Sequence, residues 1–337
     1  MTATFRRGVV HTERHTTAYL EAGPADGPAI VFVHGWPEFS YAWRHLLAAF
    51  AARGYRAIAP DLRGVGGSSR YDTHDAYAQR EIVRDLLELV DGLGIERALW
   101  VGHDWGAAIV WHVARHAPQR CRAVAGLCVP YASLDLGLAQ LATLVNRELY
   151  PEGRFPFGQF EYIAFYHERF EDARIAFEAN LENTFKVLMR GADPSKAGQP
   201  SFTANVREQG GWFRGGGAPS FPLDERILAP IDLQAYVETY AETGFFGIDA
   251  LYMNDGDNRR FAAESKPEIT MPVLFLSGVY DYVCDTERSN MMLPMREACS
   301  DLTVVPIETA HWMMHERPGD VEAALVAWMD ATSSRAR

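Results

Sequence analysis

Three features of this 337-residue chain predict an α/β fold, a mostly parallel central sheet interrupted by a helical insertion. Short apolar runs alternate with segments of helical spacing through the first 130 residues. That rhythm stops after Pro130 and returns at Val273. Between one apolar run and one helical segment stands Gly102-His103-Asp104-Trp105-Gly106, a glycine-flanked turn.

Residues 8–22 read as two short strands, and 29–33, uniformly apolar, as a buried one. A helix over 41–52 and a strand over 55–59 follow. Residues 76–91 alternate charge with leucine at helical spacing, giving a second helix. The strand 97–101 leads through the turn to a helix from 107 that ends near Pro118, and 122–129 reads as a further strand. Such alternation implies a parallel sheet covered on both faces. Residues 131–261 carry helical patterns and many aromatics without strand alternation. Within them, the Gly- and Pro-rich stretch between Gly191 and Pro222 is expected to be a mobile lid around Trp212 and Phe213. Then come a strand at 273–276, a helix at 286–299, a strand at 302–305 and a last helix to about residue 330. The expected organisation is a core from residues 1–130 and 262–337 with a helical cap over 131–261.

Composition narrows the function. A net charge of −12 argues against nucleic acid or an anionic membrane as the main partner. The run Met1-Thr2-Ala3-Thr4-Phe5-Arg6-Arg7 lacks the apolar core of an export signal, and no stretch is long and apolar enough to span a bilayer. Cys121, Cys128, Cys284 and Cys299 have no metal-ligand spacing and read as reduced thiols of a cytoplasmic protein.

Strand, sharp turn and helix form the context of a nucleophile elbow, but its central residue is Asp104 where serine is usual. The ordinary alternative is a helix N-cap aspartate. As a nucleophile the difference is chemical. Serine must give up a proton on attack, whereas a carboxylate with a pKa near ~3.9 is already ionised at neutral pH. It attacks an sp³ carbon and leaves an alkyl ester, so the substrate is an alkylating agent such as a strained ether or a halide. Loops at strand carboxyl ends supply the partners. Residues 277–282 contribute Asp281 and 307–312 contribute His311, in the chain order nucleophile, acid, histidine. Asp281 would orient the imidazole, and His311 would activate water as general base. Asp285 and His315 are the neighbouring competitors; His311 is preferred because it stands at a loop–helix junction. His34-Gly35-Trp36-Pro37-Glu38 follows a buried strand and reads as an oxyanion hole, the backbone N–H groups of Trp36 and Trp105 facing the ester oxygen. Alone, it is also an ordinary His-Gly turn.

Together, His34-Gly35-Trp36-Pro37-Glu38, Gly102-His103-Asp104-Trp105-Gly106, Asp281 before Tyr282-Val283, and His311-Trp312 ahead of Glu316-Arg317-Pro318 resemble the epoxide hydrolases of the α/β-hydrolase fold. The resemblance runs from about residue 5 to residue 330 and includes the cap. It implies two cap tyrosines as ring-opening acids: Tyr162 in Phe160-Glu161-Tyr162, and Tyr252 at the end of the run from Gly244. Tyr166, four residues from Tyr162, competes for the first position. Ala310 departs from the glycine usual before the histidine, without removing a catalytic group. Phenols with pKa near ~10 stay protonated at neutral pH yet are acidic enough to meet a forming alkoxide.

The resulting expectation is hydrolysis of a small apolar epoxide by water to a vicinal diol, with no metal and no organic cofactor. Oligomeric state, homo-oligomers included, stays open. The alternative is a haloalkane or haloacid dehalogenase using the same aspartate; halide would need fixed N–H donors such as the Trp105 indole and a second Trp or Asn. A ligand receptor on this fold and a serine-less esterase are the remaining readings.

Overall fold

A computed structural model describes residues 5–335; the first four residues of the N-terminal run lie outside the described residues. The strands are β1 (Arg6–His11), β2 (Thr16–Ala22), β3 (Ala29–Val33), β4 (Arg56–Pro60), β5 (Ala98–His103), β6 (Cys121–Leu127), β7 (Val273–Gly278) and β8 (Leu302–Ile307). They form one eight-stranded sheet in the order β1-β2-β4-β3-β5-β6-β7-β8. The pairs β1–β2 and β2–β4 are antiparallel and all later pairs are parallel. Helices α1 (Arg44–Ala52), α2 (Gln79–Gly92) and α3 (Trp105–His116) connect the first strands. Between β6 and β7 lie α4 (Leu138–Leu144), α5 (Glu161–Glu178), α6 (Leu181–Leu188), α7 (Pro230–Thr243), α8 (Phe246–Asp249) and α9 (Asp255–Ala263), with no strand among the described residues. After β7 come α10 (Leu293–Ala298), α11 (Met313–Glu316) and α12 (Pro318–Arg335).

The parallel strands are apolar throughout because both faces are buried. Ile30, Phe32, Leu99 and Val101 pack with Leu47 and Phe50 of α1 and Val321 and Leu325 of α12. Val31, Val33 and Trp100 point the other way, into a core shared with α2 and α3. In register, Val33 lies opposite Gly102, so the chain leaves β3 and β5 side by side and at the same level. That register sets His34-Gly35-Trp36 against His103-Asp104.

Two elements differ from their sequence reading. The helix expected over 286–299 forms only as α10. Pro294, which lacks an N–H, stands in the first turn of that helix, and the preceding residues satisfy their backbone locally. There, Ser289 Oγ donates to the Asp285 carbonyl at 2.5 Å and the Arg288 N–H donates to the Asp285 carboxylate at 3.1 Å. In the insertion, α9 runs through residue 261 to Ala263 and is tied to the core, where the Gln79 N–H donates to Asn258 Oδ1 at 2.9 Å. Among the described residues no helix is long and apolar enough to cross a membrane.

The turn after β5 requires glycine on both sides. A Cβ on Gly106 would collide with the Val33 carbonyl oxygen, and one on Gly102 with that of Gly106. Both obstacles are backbone, so no side-chain rotation relieves them. Gly106→Ala is therefore expected to lose at least about 3 kcal/mol in urea unfolding; a loss within about 0.5 kcal/mol would show that β3 and α3 do not need this approach.

Candidate active site

Asp104 is the pivot of the turn, with φ +51 and ψ −123, a left-handed conformation that costs a non-glycine residue about 1–3 kcal/mol. The sheet enforces it: the Asp104 N–H donates to the Leu127 carbonyl at 3.3 Å, and the Asp104 carbonyl receives the Ala107 N–H at 3.0 Å. The side chain is thereby turned out of the helix, and it makes no capping bond to α3. The N-cap reading thus fails on geometry. Instead, Oδ1 accepts the Trp36 backbone N–H at 2.8 Å, and Oδ2 faces His311 Nε2 at 3.5 Å. Gly35 makes this approach possible, because a Cβ there would collide with Asp104 Oδ1 and lie 2.6 Å from Trp105 N. The Trp105 N–H, the other expected oxyanion donor, is adjacent but has no bond to the carboxylate. His34 stiffens the loop: its Nε2 accepts the Leu62 N–H at 3.0 Å, so its Nδ1–H donates to the Gly35 carbonyl at 3.0 Å.

His311 follows β8, and Nδ1–H donates to Asp281 Oδ2 at 2.7 Å. The other oxygen of Asp281 accepts the N–H groups of Val283 and Cys284 at 3.1 and 2.9 Å. Burial alone would raise the Asp281 carboxyl, but the charge and hydrogen bond of His311 hold it below its ordinary value. The imidazole is pushed the other way. Burial would lower it, yet the Asp281 charge and the bonds to Asp104 and Asp281 raise it well above the usual histidine value. The ring thus lies between two carboxylates that both favour its protonated form. Asp285 is occupied as a turn acceptor for Arg288, and His315 points away from Asp104. Ala310 is accommodated, its N–H donating to Glu316 at 3.0 Å.

From the insertion, α5 and the turn after α8 bring Tyr162 and Tyr252 over Asp104. Their rings meet edge to face with centroids 5.5 Å apart. Both are buried, which raises their phenols well above the ordinary value and keeps them as O–H donors. Tyr166 does not compete for the cavity, because its hydroxyl donates to Asp249 at 3.0 Å and its ring stacks on Tyr252 at 4.8 Å. Asp104, His311, Tyr162, Tyr252, Trp36 and Trp212 line a cavity of about 900 Å³. Trp212, from the glycine-rich stretch, stacks on Trp36 with centroids 5.5 Å apart.

The sequence reading left Glu38 without a role. It is wholly buried, and its carboxylate takes His103 Nδ1 at 2.9 Å and His315 Nε2 at 2.8 Å. The donors fix the tautomers. His103 Nε2 faces the carbonyl oxygen of His311 at 2.8 Å, so both nitrogens of His103 face acceptors and both carry hydrogen. His315 Nδ1 receives the Arg44 guanidinium at 3.1 Å, so its Nε2–H donates to Glu38. Arg44 continues to Asp232 of α7 at 2.7 Å. A chain of buried polar groups therefore runs from the His311 backbone to the insertion. Among the described residues two sets of atoms have metal-like proximity, His103, Cys128 and His311, and Asp281, Cys284 and His311. Each uses His311, which is already bonded to Asp281, and burial pushes the Cys284 thiol up to about 12. A metal would have to displace the triad's own bonds.

The chain matches the alpha/beta hydrolase fold family over residues 28–318. It is 33% identical to epoxide hydrolase A of Mycobacterium tuberculosis (strain ATCC 25618 / H37Rv), over 94% of each chain. It is 29% identical to bifunctional epoxide hydrolase 2 of Sus scrofa over 93% of this chain, and spans 53% of that longer protein. The crystal structure of epoxide hydrolase A from Mycobacterium thermoresistibile superposes with a TM-score of 0.79 at 30% identity, covering 97% of this chain and 98% of that one. An epoxide hydrolase from an endophytic Streptomyces gives 0.78 at 29% identity, covering 99% and 97%.

Glu38→Gln removes the charge that balances His103 and is expected to cost about 3–5 kcal/mol of stability. Burial would raise the Glu38 carboxyl, but His103 and His315 hold it far below its ordinary value. A lowered carboxyl stabilises fully above its unfolded pKa near ~4.3 and progressively less below it. The wild-type advantage over the variant should therefore be flat at neutral pH and shrink below about pH 4. Urea titrations across pH would contradict this if the advantage persisted unchanged into acid.

Proposed function

Because the chain belongs to the epoxide hydrolases of the alpha/beta hydrolase fold, and is thus a hydrolase acting on ether bonds, we propose that Asp104 carries the reaction as a covalent ester. The observation that carries this reading is the division of its carboxylate. Oδ1 is held by the Trp36 N–H, and Oδ2 faces His311 beneath two buried tyrosines.

Asp104 Oδ2 attacks one epoxide carbon in line with the breaking C–O bond. The departing oxygen takes a proton from Tyr162 or Tyr252, giving a hydroxy ester. Imidazolium His311 restores that phenol's proton through water and becomes neutral. The loss of the Asp104 charge favours this step, since that carboxylate helps to hold His311 protonated. Neutral His311 then takes a proton from water, and hydroxide adds to the Asp104 carbonyl carbon. The oxyanion on Oδ1 is met by the N–H groups of Trp36 and Trp105. Collapse expels the diol oxygen, which takes the proton of the new carboxyl group. The sum is epoxide plus water to vicinal diol, with imidazolium and carboxylate restored.

Residues 131–261 act as a cap that supplies the acids, and the glycine-rich stretch acts as a lid over an apolar epoxide. The reaction removes alkylating agents, a detoxifying role. Four free, buried cysteines support a cytoplasmic setting. The dehalogenase alternative is not favoured, because two buried phenols, acids that a departing halide does not need, line the cavity with Asp104.

His311→Gln should accumulate an epoxide-sized adduct on Asp104, seen by mass spectrometry of the digested protein; a folded variant without adduct would sink the covalent mechanism. Tyr162→Phe and Tyr252→Phe should each slow ring opening in single turnovers on the order of 10²-fold. Unchanged ring-opening rates would remove the tyrosines from the chemistry.

A further inference from the structure

Asp249, the last residue of α8, is 0% exposed. Its Oδ1 accepts two hydrogen bonds, one from the core and one from the insertion. The Trp36 indole N–H comes from the core loop at 2.7 Å, and the Tyr166 O–H comes from α5 at 3.0 Å. Its Oδ2 is buried without a hydrogen-bond partner. Each donor belongs to a residue that supports a different half of the reaction. Trp36 presents its backbone N–H to Asp104, and Tyr166 lies flat on Tyr252 with ring planes 7° apart. Moving Asp249 would therefore shift the loop that orients the nucleophile and the ring that backs the acid.

We propose that Asp249 is a positioning residue that sets the spacing between the Trp36 loop and the tyrosine pair, acting as an uncharged carboxyl whose one oxygen receives both donors. This rests on the ester mechanism above. Two features support the uncharged form: Oδ2 has no hydrogen-bond partner, and no cation is bonded to either oxygen. Burial, the largest influence, raises the carboxyl well above its ordinary range, and the bonds from Trp36 and Tyr166 do not offset it. A neutral group also keeps a second negative charge away from Asp104 and from the oxygen that becomes an alkoxide, where like charge would oppose ring opening.

The test compares single-turnover rates of ester formation and ester hydrolysis, with kcat and KM, in Asp249→Asn and Asp249→Leu. Asparagine keeps the accepting oxygen without a charge and is expected to stay within about threefold of wild type in both steps. Leucine keeps the branched shape and loses the acceptor, so both rates should fall on the order of 10- to 100-fold while KM changes little. Tyr166→Phe, which leaves the rings in place, should slow ester formation and spare hydrolysis; it serves also if the leucine variant does not fold. A purely structural role would lower Tm and the active fraction but leave both rate constants of the folded protein unchanged, which would overturn the proposal. Asparagine falling as far as leucine would overturn the uncharged-acceptor role. Wild-type protein that forms no ester would overturn the mechanism and this inference together, whereas normal ester formation in wild type and the leucine variant alike would overturn this inference alone.

Discussion

The hydrogen bond from the Trp36 backbone N–H to Asp104 Oδ1 is the constraint on which the rest of the site depends. It makes the two oxygens of one carboxylate inequivalent, leaving Oδ2 to face His311. Several features of the fold exist to make that bond. The register of β3 against β5 brings the two loops level, Gly35 and Gly106 allow backbone to approach backbone, and the left-handed Asp104 aims the side chain out of α3. Packing of α3 against β5 and β6 holds a strained turn that local preferences alone would relax.

Charge is arranged with comparable economy. The buried ionic groups come in paired sets: His311 between Asp104 and Asp281 at the cavity, with Glu38 and His103 beneath them. Buried charges without partners are costly, and each set contains its own counter-charge. The two sets touch at one point, the His311 carbonyl, which accepts from His103 and from the Cys128 thiol at 3.2 Å. The loop carrying the proposed base is thus fixed by its backbone as well as by its ring. On the insertion side Tyr162 and Tyr252 stand over Asp104 as phenols that burial keeps protonated, so they present O–H donors to an oxygen that is taking on charge there.

The sheet and the meeting of Asp104, Asp281 and His311 were legible because they follow from local signals. Uniformly apolar strands, glycines two residues either side of Asp104, and loops at strand ends all lie close in sequence. What was not legible depends on distance. Glu38 meets His315 across 277 residues, and Asp249 meets Trp36 across 213, so neither partnership leaves a spacing to read. Tyr162 and Tyr166 share a helical face; they are separated only by the presence of Asp249 beside one of them. The over-long helix at 286–299 failed for a local reason that Pro294 could have signalled. Where propensity and side-chain competition conflict, the side chains of Asp285 and Ser289 took the backbone bonds first.

The covalent account makes one statement that no general-base mechanism shares: the oxygen given to the diol comes from Asp104, and the oxygen of water enters the carboxylate. A single turnover with enzyme in excess, in water enriched in oxygen-18, measures this directly. The account predicts unlabelled diol and one heavy oxygen in the peptide carrying Asp104. Diol carrying one heavy oxygen, with Asp104 unlabelled, would contradict it and make Asp104 a bystander to direct attack by water.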